Sequence, residues 1–147
     1  MSRAPKLASV RLYFDADVLG VAKVIAALRN DCTYPGDPGA TIRKRHRPPC
    51  VIADRATPDS EWIPTVSRLG WLIITRDSRI QHNRAEIQAV RDAGARMVAL
   101  SGPEAGTVWE QLEVLMSQWR RIEQLLEEPG PFVRRGTRSA LSPVDLS

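Results

Sequence analysis

The sequence predicts an α/β protein, a three-layer α/β/α sandwich around a mostly parallel central sheet. Three observations carry that reading. Strand-like and helix-like stretches alternate along the chain, the order that builds parallel sheets through crossover helices. Trp71-Leu72-Ile73-Ile74-Thr75 is a continuous apolar run bounded by Gly70 and Asp77, the form of a strand buried on both faces. Val108, Trp109, Leu112, Leu115, Met116, Trp119, Ile122 and Leu126 recur at helical spacing up to Glu128, a long final helix able to cover a sheet face.

The elements follow in order. Ser9 to Phe14 mixes β-branched and aromatic residues and meets Asp15 and Asp17, so it reads as a buried strand with an acidic end. Val18 to Arg29 has its apolar residues at helical spacing and packs on the sheet. Tyr34 to Pro49 turns to Pro, Gly and basic residues, with Arg43-Lys44-Arg45-His46-Arg47 inside, and is expected to be a loop. After the short apolar stretch Cys50 to Ala53, Thr57-Pro58-Asp59-Ser60-Glu61 has the form of a helix start. Thr57 is its cap, and Asp59 to Leu69 turns Trp62, Ile63, Val66 and Leu69 inward. Gly70 stops that helix. Beyond the strand at 71–75, a basic connector leads to a helix over Arg84 to Ala93, closed by Gly94, and to a strand over Arg96 to Leu100. Residues 1–128 form one domain. Residues 129–147, with Arg134, Arg135 and Arg138 among small polar residues, are expected to be a mobile tail.

A length of 147 residues suits a single core, and 43% hydrophobic with 26% charged residues excludes wholesale disorder, collagen-like repeats and a coiled-coil rod. A net charge of +4 and a pI near 9.6 favour polyanionic partners, nucleic acid first. No apolar segment follows Met1 to Leu7 as in a signal peptide, and no run approaches the roughly 18 apolar residues of a membrane span, so a cytoplasmic protein with no membrane partner is expected. Cys32 and Cys50 form no CxxC pair and suit a reducing compartment. With His46 they lack the fourth ligand that zinc would need.

Ligands of parallel α/β sheets bind beyond the carboxyl ends of the strands. Asp15 and Asp17 end the first strand, Asp59 and Glu61 start a helix, and Asp77 follows the most buried strand. Carboxylates from three elements on one sheet edge suit a hard cation, Mg²⁺ or Mn²⁺, which also relieves their mutual repulsion. Taken singly, each Asp reads equally as a helix cap or loop residue. Arg76, Arg79, His82 and Arg84 lie beside Asp77 and are placed to hold a polyanionic substrate. The Arg43, Lys44 and Arg45 run reads either as a phosphate clamp or as a solvated loop.

Four segments together resemble the PIN-like domains of the VapC-type toxin ribonucleases. They are Phe14-Asp15-Ala16-Asp17-Val18-Leu19, Asp59-Ser60-Glu61-Trp62, Gly70 to Asp77 with its Thr75-Arg76-Asp77 end, and Ala93-Gly94-Ala95-Arg96-Met97-Val98. The resemblance spans Arg11 to Leu100. It implies a metal-dependent endoribonuclease, the toxin of a type II toxin-antitoxin pair, silenced by a cognate antitoxin. By the same resemblance Asp15 and Asp77 match metal ligands, Asp17 sits at a position that varies in ordinary PIN domains, and Asp59 and Glu61 compete for the middle role. Asp37 and Asp54 are lesser candidates, because ordinary PIN domains place a Glu on an earlier helix and the Tyr34 to Pro49 loop has none.

The expected activity is hydrolysis of RNA phosphodiester bonds, with Asp15, Asp77, Asp59 and Glu61 as catalytic residues and Asp15, Asp17, Asp59 and Asp77 as metal ligands. The alternative is a catalytically inactive binding or regulatory module on the same fold. A phosphoacceptor receiver domain fails because Ala99 to Gly102 offers no lysine, and a nucleotide-binding enzyme fails for want of a glycine-rich phosphate loop. An exposed stripe on the final helix would serve a homodimer or the antitoxin.

Overall fold

A computed structural model describes residues 6–76 and 83–147. Its main sheet has six strands in the order β3-β2-β6-β7-β8-β9, parallel except for β9. These are β2 (Leu12–Phe14), β3 (Cys32–Thr33), β6 (Leu72–Arg76), β7 (Arg96–Leu100), β8 (Phe132–Gly136) and β9 (Leu141–Pro143). A smaller sheet joins β1 (Lys6–Leu7), β5 (Arg45–Arg47) and β4 (Ala40–Ile42).

Helices cover both faces of the main sheet. On one face α1 (Leu19–Leu28) and α4 (Val108–Leu125) meet Leu12, Phe14, Leu72, Ile74, Val98 and Leu100. On the other, α2 (Asp59–Arg68) and α3 (Arg84–Ala93) meet Tyr13, Ile73, Met97, Ala99 and Val133. Alternate residues of each strand thus enter different cores, and the three-layer sandwich is as expected. Among the described residues no helix is long and apolar enough to cross a membrane.

Helix ends follow local chemistry. Asn83 caps α3 through Glu86 N, Thr107 caps α4 through Glu110 N, and Gly94 closes α3 in the left-handed conformation at φ 62°. Thr57, expected as the cap of α2, instead donates its hydroxyl to Asp54 O, and Pro58 takes the capping position with no side-chain bond.

Two segments correct the sequence reading. The stretch 34–49 is more than a loop, for β4 and β5 form a hairpin whose two turn residues, Arg43 and Lys44, have φ of 51° and 66°. That hairpin is pinned by Arg47, which is buried against Asp37 at 2.7 Å and donates to Ala26 O at 3.0 Å and Arg29 O at 3.2 Å, closing the end of α1. The segment 129–147, expected to be a mobile tail, supplies β8 and β9. Phe132 and Val133 are buried, one in each core, and β8 pairs with all five residues of β7. Two buried side chains and a full ladder outweigh the polar composition around them.

Candidate active site

Asp15 leaves the carboxyl end of β2 with its amide still donating to Ile74 O at 2.8 Å. Its Oδ1 accepts from Ala16 N at 2.6 Å and so caps the 3₁₀ turn Ala16–Val18. That turn brings Asp17 over the end of β6. There Thr75 Oγ1 lies 3.1 Å from Asp15 Oδ2 and 3.0 Å from Asp17 Oδ2, while Arg76 N donates to both Asp17 oxygens at 3.2 Å. A single hydroxyl proton therefore serves two carboxylates.

Crowding acidic groups at a sheet edge has an electrostatic cost. Loss of hydration raises the Asp15 pKa against the hydrogen bonds from Ala16 and Thr75, and the Asp59 charge adds to the rise. Asp17 is pushed up to about 7, first by loss of hydration and then by the charge of Asp15. Because Asp17 keeps a side open to solvent, the direction of its shift is what governs the chemistry: the pair retains a proton beyond the ordinary carboxylate range. Among the described residues neither carboxylate has an ion-pair partner.

Asp59 stands on the first turn of α2, where its Oδ1 accepts from Trp62 Nε1 at 2.9 Å. Trp62 in turn packs on Tyr13 with ring centroids 5.2 Å apart. Burial, followed by the charge of Asp15, pushes the Tyr13 hydroxyl upward, so it stays protonated. Of the two residues competing for the middle position, Asp59 is felt at Asp15, whereas Glu61 is exposed and meets neither acid among the described residues. Asp37 is committed to Arg47, and Asp54 shapes the turn before α2 by accepting from Ala56 N at 2.8 Å. Asp77 lies outside the described residues, as do Arg79 and His82. Among the described residues no group of three His, Cys, Asp or Glu side chains forms a metal site.

The basic residues divide by position. Arg76 holds Asp17 through its backbone and exposes its side chain, and Arg84 is exposed at the start of α3. Arg43, Lys44 and Arg45 lie on the hairpin held by Asn30, whose Nδ2 donates to Ile42 O and Arg45 O. Asn30 follows α1, so this run sits at the end of the sheet opposite the acids. On the acidic edge, an open depression of about 590 Å³ is lined by Lys23, Tyr34 and Arg55, along with Leu19 and Asp54. No local pattern marks these residues in the sequence. Thr75 had a signal, its place just before Asp77 at the end of the most apolar strand.

Two helix layers around a mostly parallel sheet, with paired carboxylates at its carboxyl edge, define an α/β domain with an acidic site where such sheets bind ligands. The chain belongs to the PIN-like domain family, whose model matches residues 11–102, the stretch holding Asp15, Asp17, Asp59 and Thr75. No curated protein and no solved structure matches the chain. PIN domains are generally nucleases and typically use divalent metals.

Proposed function

We propose that the protein is a Mg²⁺- or Mn²⁺-dependent endoribonuclease acting as the toxin of a toxin-antitoxin pair in the cytoplasm. The observation that supports this most is the Asp15 and Asp17 pair bridged by Thr75 at the carboxyl edge. The donor set fits the ion: Mg²⁺ is commonly held by one or two carboxylates, its other positions being left to water and substrate phosphate. When bound, the metal would polarise a phosphoryl oxygen and lower the pKa of water.

In this reading the protein's own groups do four things. Asp15 and Asp17 hold the cation, with Asp77 as a further proposed ligand. Thr75 and Arg76 N fix the orientation of both carboxylates. Asp59, anchored by Trp62, adds negative charge on the α2 side and completes the set in place of Glu61. The cations of the depression, Lys23 and Arg55, together with Arg76 and Arg84, supply the attraction for an RNA strand.

The antitoxin would engage the α1 and α4 face, where Leu28, Trp109 and Met116 are exposed. A homodimer on that face is the competing use. Incubating the purified protein with a mixed RNA pool, with Mg²⁺, with Mn²⁺ and with chelator, tests the activity. Metal-dependent cleavage lost in Asp15→Asn is the expected result. Binding without cleavage under every condition would leave the inactive binding module.

A further inference from the structure

We propose that Arg135, carried by β8, is a binding residue that grips an RNA phosphate next to the one being cut. This rests on the nuclease reading above. β6, β7 and β8 run in register, with Thr75 beside Ala99 and Ala99 beside Arg135, and Asp15 follows Phe14, which pairs with Ile74. Asp15, Thr75, Ala99 and Arg135 therefore form one row across the carboxyl edge.

The row also shares a face. Ala99 belongs to the α2 and α3 core, as does Val133, two residues before Arg135. Gly136 lies on the other side, for a Cβ there would meet Val98 and Leu100 at 3.4 and 3.6 Å. Arg135 is thus directed to the face that holds Thr75, two strands away, or about 10 Å at ordinary strand spacing. Ala99, the residue between them, carries only a methyl group.

The neighbouring arginines are committed and this one is not. Arg134 pairs with Glu128 at 3.0 Å and lies over Phe132, and Arg138 reaches Glu113 at 3.4 Å. Arg135 is half-buried, and among the described residues its side chain has no hydrogen bond or ion pair. Its guanidinium nitrogens stay open to solvent and have no side-chain partner among the described residues, and such a planar fork is matched by a bidentate anion, which on a nuclease edge is phosphate. The separation from Thr75 assigns it to a flanking phosphate rather than the scissile one.

The test measures binding of a short labelled single-stranded RNA in chelator, at several salt concentrations, to the full chain. Arg135→Gln should weaken binding and reduce the salt slope by about 0.7, the value for one phosphate contact on a single strand. Arg134→Gln should leave the slope unchanged. Bound RNA should also protect Arg135 from phenylglyoxal in the unaltered protein, a readout that survives if the variant fails to fold. Equal slopes for wild type and Arg135→Gln, or modification of Arg135 unaffected by bound RNA, would overturn the assignment while leaving the nuclease reading intact. Absence of any RNA binding by the wild type would overturn both.

Discussion

The hydroxyl of Thr75 lies 3.0 Å from Asp17 Oδ2, and this contact ties the first turn of the domain to the end of its central strand. It sets the orientation of one carboxylate while Asp15 Oδ2 shares the same proton at 3.1 Å. Thr75→Val should therefore lower RNA cleavage about 10- to 100-fold, the usual cost of losing a group that orients a metal ligand. Thr75→Ser should restore most of the rate. Asp15→Asn and Asp17→Asn should each cost more than Thr75→Val, with melting temperatures near wild type. Full cleavage by Thr75→Val would show that the hydroxyl does no more than fill space.

The pH dependence of stability has two windows of opposite sign. Asp15 and Asp17 have raised folded-state pKa values, Asp17 about 7, so the metal-free folded state binds more protons than the unfolded chain between about pH 4 and pH 7. Stability should fall as pH rises through that range, and Asp17→Asn should flatten the slope. Asp31 behaves oppositely: against the upward push of burial, hydrogen bonds from Arg29 and Arg11 hold it down at about 2. Its contribution is present above its unfolded value and is lost as pH falls toward 2. Chemical denaturation across pH 2 to 7, with and without Asp17→Asn and Asp31→Asn, separates the two.

Metal should reverse the first trend. A cation that binds only the folded state stabilises it by about 2.7 kcal/mol at a hundredfold excess over its Kd. Millimolar Mg²⁺ or Mn²⁺ at pH 7 should raise the melting temperature of the chelator-treated wild type and have no such effect on Asp15→Asn. An equal rise in both would place the ion elsewhere.

Arg47 and Asp37 form a pair with both side chains buried. Arg47→Ala removes the counter-ion of the buried Asp37, leaving it only the hydrogen bonds from Thr33 Oγ1 and Gly39 N, and uncaps α1, and it should cost about 3–5 kcal/mol. Arg47→Met with Asp37→Leu should recover part of that loss, as measured by urea denaturation. The same stability in single and double variants would mean that the pair contributes through its contacts to Ala26 and Arg29 alone.

The depression gives a binding prediction independent of Arg135. Removing Lys23 and Arg55 together should lower the salt slope for single-stranded RNA by up to about 1.4. Changing Arg43, Lys44 and Arg45 to glutamine should alter it less, since those side chains stand at the other end of the sheet. The reverse ranking in salt titrations would move the RNA path to the hairpin.

What the sequence disclosed was set by distance along the chain. The strand over Arg96 to Leu100 and the helix before it are written locally, in an apolar run and in Gly94, and both match residue for residue. β8 carries only two apolar residues between a Pro-Gly-Pro stretch and two arginines, and its strand character comes from the ladder with β7. The hairpin was hidden because Arg43 and Lys44, not Gly or Asn, occupy its left-handed turn. In the site, Asp15 and Asp17 were legible from their place after a strand. The choice between Asp59 and Glu61 depended on Trp62 turning its indole N–H to Asp59. Arg47 read as one more solvated charge because its partner, Asp37, lies across a turn.

The late position of β8 also orders the protein's synthesis. A ribosome that has just released α4 has already delivered Asp15, Asp17 and Thr75, but β7 is then the bare margin of the sheet, the amides and carbonyls on the side away from β6 unpaired. Met97 and Val98 still lack Val133 and Phe132 above them. The nascent chain thus passes through a stage that holds the acids without a finished sheet, and translation of residues 132–136 ends it. Messages cut short before that point would yield fragments with an open strand edge, so a closed sheet arrives only with residues 132–136.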